Sequence, residues 1–149
     1  MKRRLIAVVV LGVLLVGAGY VLYVTNGTPV VAAITADEAA DTSRPFVIKL
    51  HAQWCPKCMV TKDVWADVER AYAGRVNLLV LDFTDDARTE ASRVEAQRLG
   101  LETVFDDYDG VTGAVLVVDG RTREVTADIS VSRDFEEYRV AIDAALGRS

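Results

Sequence analysis

The run Trp54-Cys55-Pro56-Lys57-Cys58 sits where an apolar stretch, Phe46-Val47-Ile48-Lys49-Leu50, gives way to a helical pattern. That junction constrains the fold more than any other feature of the chain. A strand must end and a helix must begin within a few residues, with two thiols at the helix start. Val60, Val64, Trp65, Val68 and Tyr72 recur at helical spacing, which predicts one amphipathic helix over residues 56–72 with Trp65 and Tyr72 in the core. Pro56 suits its first turn, where the missing N–H is not needed. Cys55 and Cys58 are the only cysteines, and at a CxxC spacing they can ligate a metal or form a disulfide that opens and closes. A structural crosslink is the plain alternative, but so small a loop contributes little entropic stabilisation. A helix N-terminus stabilises a thiolate, and Lys57 between the thiols adds positive charge in the same direction.

The remaining pattern completes a layered fold. Residues 76–83 read as a second buried strand, and Asp85 or Asp86 can cap a polar helix running to about Leu99 and closed by Gly100. Residues 101–112 read as a loop. Residues 114–118 form a third strand, Asp119-Gly120 a turn, and residues 124–129 a fourth strand paired as a hairpin. Ser132 can cap a last helix in which Phe135, Tyr138, Ile142 and Leu146 share one face. The order β-α-β-α-β-β-α predicts parallel pairing across the helices, an antiparallel terminal hairpin, and a three-layer α/β sandwich with a mixed central sheet.

The first 25 residues belong to something else. Lys2, Arg3 and Arg4 precede residues 5–24, a run of 20 without charge, which as a helix spans about 30 Å, the hydrocarbon thickness of a bilayer. Tyr20 and Tyr23 lie at its far end, and the basic cluster marks the cytoplasmic side. A cleaved signal peptide is the rival reading, with Gly17-Ala18-Gly19 or Val31-Ala32-Ala33 as the processing site. The expected organisation is a signal anchor over residues 1–25, a linker over 26–45 with a short helix near 36–40, and a domain over 46–149. This places the domain on the extracytoplasmic, periplasmic or outer, side of a single-pass cell-membrane protein. Beyond residue 25 there are 14 basic against 22 acidic residues, a net charge of −8, which argues against nucleic acid as a partner.

With strand, Trp-Cys-x-x-Cys, helix, strand, helix, hairpin and helix in order, residues 46–146 resemble the thioredoxin superfamily. His51-Ala52-Gln53-Trp54-Cys55 looks like that family's approach to the nucleophile, and Ala71-Tyr72-Ala73-Gly74-Arg75-Val76 like the end of its active-site helix. The anchored arrangement resembles membrane-tethered thioredoxin-like proteins of bacterial envelopes, which serve cell redox homeostasis. The resemblance implies a thiol–disulfide oxidoreductase in which Cys55 attacks and Cys58 resolves, with Trp54 shaping the substrate groove. Pro56 and Lys57 tune the motif, and the redox-active disulfide needs no other cofactor. The Trp-Cys-Pro-x-Cys context resembles reducing relatives, which implies protein disulfide substrates and a transmembrane electron donor. Lys57 acts the other way, because a stabilised thiolate makes a better oxidant.

Three positions depart from the family. Lys49 stands where thioredoxins carry a buried aspartate; it would favour thiolates unless it reached the surface or paired with a carboxylate such as Asp82. Thr112, in Gly110-Val111-Thr112-Gly113, falls where the family has a cis-proline beside the dithiol, and a trans bond is expected there. Residues 101–110 are longer than the usual connection. Two other readings stay open: a metal-binding or metal-delivery module using Cys55, Cys58 and His51, and a redox-silent binding module on the same fold. Asp106, Asp107 and Asp109 faintly suggest a calcium loop but lack the closing glutamate, so a solvated acidic loop is expected.

Overall fold

The strand that precedes the dithiol is the axis of the molecule. β1 (Phe46–His51) pairs in parallel with β2 (Asn77–Asp82) and antiparallel with β3 (Ala114–Val118). β4 (Val125–Ser130) closes the order β2-β1-β3-β4 by antiparallel pairing with β3. The structure, a computed structural model, describes Asp41 and residues 43–147. The expected anchor over 1–25 and the short helix near 36–40 lie outside the described residues. Among the described residues no helix is long and apolar enough to cross a membrane.

Alternation along β1 feeds two cores. Phe46, Ile48 and Leu50 pack with Leu79, Leu81, Leu116 and Val118 beneath α3 (Asp86–Arg98) and α4 (Glu102–Asp107), which supply Ala96, Val104 and Phe105. Val47 on the other face meets Val115, Val117, Trp65, Val68 and Tyr72, with Tyr138 and Ile142 from α5 (Phe135–Leu146). A strand buried on both faces reads as a nearly continuous apolar run, which is why the segment was legible. The three layers and the mixed sheet are as expected.

The single helix predicted over residues 56–72 is two: α1 (Pro56–Val60) and α2 (Lys62–Tyr72), interrupted at Thr61. The Thr61 hydroxyl donates to the carbonyls of Lys57 (3.1 Å) and Cys58 (3.4 Å), a back-bonding habit that bends helices. Apolar spacing continues across the break, so periodicity alone could not reveal it.

Residues 101–112 are not all loop. Leu101, Val104 and Phe105 are buried and Tyr108 packs against them, the i, i+3, i+4, i+7 spacing of the short helix α4. Interleaved acidic residues obscured this pattern. The extra element also sets where β3 enters, antiparallel to β1, as the antiparallel terminal hairpin of a mixed sheet implies. α3 returns the chain to the Phe46 end of the sheet, where Gly100 approaches the side chain of Arg123, itself stacked 4.8 Å over Phe46. α4 and the following turn then carry it forward again, so Ala114 enters opposite Leu50.

Caps shift by small amounts. Asp85 caps α3 by accepting from Arg88 N–H at 2.9 Å. Asp134, not Ser132, caps α5 by accepting from Glu136 N–H at 2.9 Å; Ser132 accepts instead from Asp134 N–H, one step upstream. β4 begins one residue later than expected, after Arg123 adopts φ 62°.

Candidate active site

The site is built at the C-terminal end of β1. Past His51 the chain turns so that Cys55 N–H donates to the Ala52 carbonyl (3.2 Å), and Cys58 N–H and Met59 N–H donate to the Cys55 carbonyl (3.1 and 3.3 Å). Cys55 is therefore the extended residue at the head of α1, and Pro56 is its first helical residue. Both cysteines are free thiols, in one buried cluster with Ala52. Each shows only 3% of its surface, so exposure does not tell the two apart.

Their environments nevertheless differ in kind. Burial pushes the Cys55 thiol up, but hydrogen bonds from the Thr112 side chain, Cys58 and Lys57 N–H outweigh it and hold the thiol below its ordinary range. Burial raises the Cys58 thiol and wins, assisted by Cys55, against a backbone hydrogen bond at Ala52 and the charge of Lys49. Cys58 also donates its S–H to the Leu50 carbonyl at 3.6 Å, an interaction available only to the protonated form. The two sulfurs are thus biased in opposite directions, Cys55 towards its thiolate and Cys58 towards its thiol.

The Leu50 carbonyl has a second donor, Gly113 N–H at 2.9 Å, and the Gly113 carbonyl accepts from Val131 N–H at 3.2 Å. These bonds fix the loop carrying Thr112 over the dithiol. The bond there is trans, like every described peptide bond. Gly113 holds φ +82°, and a Cβ on it would lie under 3.0 Å from Lys57 Cβ, so the Lys57 stem and the loop backbone are packed face to face.

The other sequence-predicted residues divide. Trp54 is 62% exposed, yet its indole N–H donates to the Thr84 carbonyl at 3.0 Å, which ties its ring to the segment after β2. Lys49 does not pair with Asp82. Asp82 accepts from Thr84 N–H and hydroxyl and lies 3.7 Å from Arg88, whereas Lys49 places its ammonium 5.3 Å over the Trp65 ring. His51 is partly buried with an Nδ1 that has no hydrogen-bond partner. Among the described residues no group of three His, Cys, Asp or Glu side chains is arranged to hold a metal ion, so the structure does not bring His51, Cys55 and Cys58 together as a ligand set. In the acidic segment Arg93 answers Asp106 (3.1 Å) and Asp109 (3.5 Å) and stacks 4.6 Å over Phe105. Those carboxylates therefore tie α3 to α4. Residues missed from the sequence are Met59 (72% exposed), next to the dithiol, and the exposed Val111 and Val131. Met59 follows Cys58 and Val111 precedes Thr112, both positions already singled out.

A thioredoxin family model matches residues 30–98.

That match and the four-stranded mixed sheet with helices on both faces fit a thioredoxin-like α/β fold. The CxxC pair lies within the matched residues. Similar solved structures include MTB dsbF in its mixed oxidized and reduced forms, at 17% identity and TM-score 0.49, covering 69% of this chain and 81% of that one. A thiol:disulfide interchange protein from Chlorobium tepidum TLS has 18% identity and TM-score 0.47, covering 71% and 82%. Fasciola hepatica thioredoxin has 12% identity and TM-score 0.44, covering 69% and 82%. The search of curated proteins gave no match.

Proposed function

We propose that this chain is a thiol–disulfide oxidoreductase that works by dithiol–disulfide exchange. The Cys55 thiolate attacks a sulfur of a partner protein's disulfide, forming a mixed disulfide and releasing one partner thiolate. Cys58 then attacks Cys55, closing the Cys55–Cys58 disulfide and releasing the second partner thiolate. The enzyme loses two electrons and the partner gains them. The observation that carries the reading is the opposed treatment of the sulfurs: hydrogen bonds hold Cys55 low, and burial holds Cys58 high. An attacking thiol must be ionised before the partner arrives. A resolving thiol must stay protonated until it is needed.

The exposed Trp54 and Met59, which flank the dithiol in sequence, offer apolar surface to the partner's backbone around its disulfide. The uncharged run after Lys2, Arg3 and Arg4 supports an anchored, extracytoplasmic placement as part of the proposal. The Trp-Cys-Pro-x-Cys resemblance supports the direction of a reductase. A reductase so placed draws electrons from a transmembrane donor protein, since one anchor helix cannot relay them.

The test is the reduction potential of Cys55–Cys58 in the full chain, poised in thiol buffers and read by alkylation. A reversible two-electron couple below about −220 mV is expected; one above about −150 mV would make the protein an oxidant or isomerase. Absence of any reversible couple would overturn the reading altogether.

A further inference from the structure

A cleft of about 440 Å³ opens beside the dithiol helix, lined by Met59, Val60, Asp63, Val64 and Arg133, and the exchange steps make no use of it. One wall belongs to α1 itself. Met59 N–H donates to the Cys55 carbonyl at 3.3 Å, and residues four apart lie on the same side of a helix, one turn from each other. Met59 and Val60 show 72% and 40% of their surface, while Val64 is buried. A polypeptide held on Cys55 therefore meets exposed apolar surface within one turn of its own sulfur.

Another wall comes from the segment after β4, which is firmly held. Val131, a β-branched residue, sits at φ 56°, a left-handed conformation that such residues avoid. Two bonds keep the segment there: Val131 N–H donates to the Gly113 carbonyl at 3.2 Å, and the hydroxyl of buried Tyr138 donates to the Ser132 carbonyl at 2.9 Å. Strain of this kind persists only where the surroundings over-determine it, and it gathers at binding sites. The next residue is Arg133.

Arg133 reaches the cleft without an anion: among the described residues its side chain makes no ion pair or hydrogen bond. The carboxylates that follow it in sequence are engaged. Asp134 accepts Glu136 N–H at 2.9 Å as the cap of α5, and Glu136 pairs with Arg139. Asp63 lines the same cleft but does not pair with Arg133. It stands in the first turn of α2, where the positive end of the helix already favours a carboxylate. The unsatisfied pole of the cleft is thus the cation.

We propose that this cleft selects the partner: Met59, Val60 and Val64 receive an apolar side chain, and Arg133 pairs with a carboxylate beside it, so that the chain favours protein disulfides flanked by an acidic and apolar segment. This rests on the exchange function proposed above and names its substrate class. A guanidinium suits the task because its planar fork meets a carboxylate through two parallel hydrogen bonds. Beyond residue 25 the net charge of −8 repels acidic surfaces at long range, so an acidic residue is favoured only where Arg133 can meet it. Arg133 determines specificity and takes no part in the chemistry.

The experiment offers the reduced full chain, in detergent, cyclic peptides closed by a disulfide. Each carries a leucine next to Glu, Gln or Lys, and the pair is moved through the positions on either side of one cysteine. In a single turnover the Cys55–Cys58 pair gives two electrons to the peptide disulfide, leaving the chain oxidised and the peptide a dithiol, which alkylation and mass spectrometry count. At one position the Glu peptide should react about threefold faster than the Gln peptide and about tenfold faster than the Lys peptide, the size expected of an exposed ion pair gained or replaced by repulsion. Arg133→Gln should abolish that preference, and Arg133→Glu should turn it towards Lys. Equal rates at every position, or a Glu preference that survives Arg133→Gln, overturns the proposal while leaving the exchange function standing. A wild-type chain that exchanges with none of the peptides overturns both. A chain that sediments as a dimer and becomes monomeric in Arg133→Gln gives the cleft to a second copy and overturns the proposal as well.

Discussion

Substituting Gly113 by alanine tests the packing that holds the loop over the sulfurs. Two costs add. A side chain at φ +82° costs about 1–2 kcal/mol, because Cβ meets the neighbouring carbonyl. The new Cβ also falls under 3.0 Å from Lys57 Cβ, with Lys57 Cδ at 3.1 Å and Cγ at 3.4 Å. The first of these atoms is attached to backbone and cannot swing aside, so α1 or the loop must move, at about 1–3 kcal/mol for overpacking. Gly113→Ala should therefore destabilise by about 2–5 kcal/mol, a large share of a typical domain's stability. Urea unfolding of the full chain in detergent, followed by the fluorescence of buried Trp65, measures it. The partner substitutions sharpen the test. Lys57→Gly removes the clashing Cβ and should recover the overpacking part, whereas Lys57→Ala keeps that Cβ and should recover little. A cost below about 1 kcal/mol, or equal rescue by both partners, would refute the reasoning.

Two further outcomes follow from the titratable groups. Because Cys55 is held below the ordinary thiol range and Cys58 above it, Cys55 retains thiolate as pH falls; at pH 7 iodoacetamide should label it about tenfold faster than Cys58 by peptide mass spectrometry. Faster labelling of Cys58 would reverse the assigned roles. Burial and the hydrogen bond to Asp143 push the Tyr72 phenol from 10.0 up to about 12, so the fold favours its neutral form. Its stabilising contribution is complete below pH 10 and is lost as pH rises from about 10 to about 12. The fall in unfolding midpoint over that window should be smaller in Tyr72→Phe, and an equal fall would discard the assignment.

How far the sequence reveals this fold depends on which force acts at each place. β1 was legible because burial on both faces left Phe46, Val47, Ile48 and Leu50 contiguous, and α3 because Asp85 and Gly100 bracket it. α4 was not, because its apolar positions are diluted by acidic residues whose charges Arg93 answers from another helix. At the site, spacing and residue type marked Cys55 and Cys58. They could not mark Leu50, whose part is played by a backbone carbonyl, nor Gly113, whose value lies in an absent Cβ. That Asp82 pairs with Thr84 and Arg88 rather than Lys49 exists only in three dimensions.

The doubly used Leu50 carbonyl also makes the chain its own indicator. When the sulfurs are reduced, one oxygen receives both the Cys58 S–H and the Gly113 N–H. When they join, the sulfur has no hydrogen left to give, and the whole lone-pair capacity of that oxygen passes to the amide. The Gly113 amide proton should then resonate further downfield and exchange more slowly with solvent. A single backbone signal, with no dye and no substitution, would report the electron count of the pair.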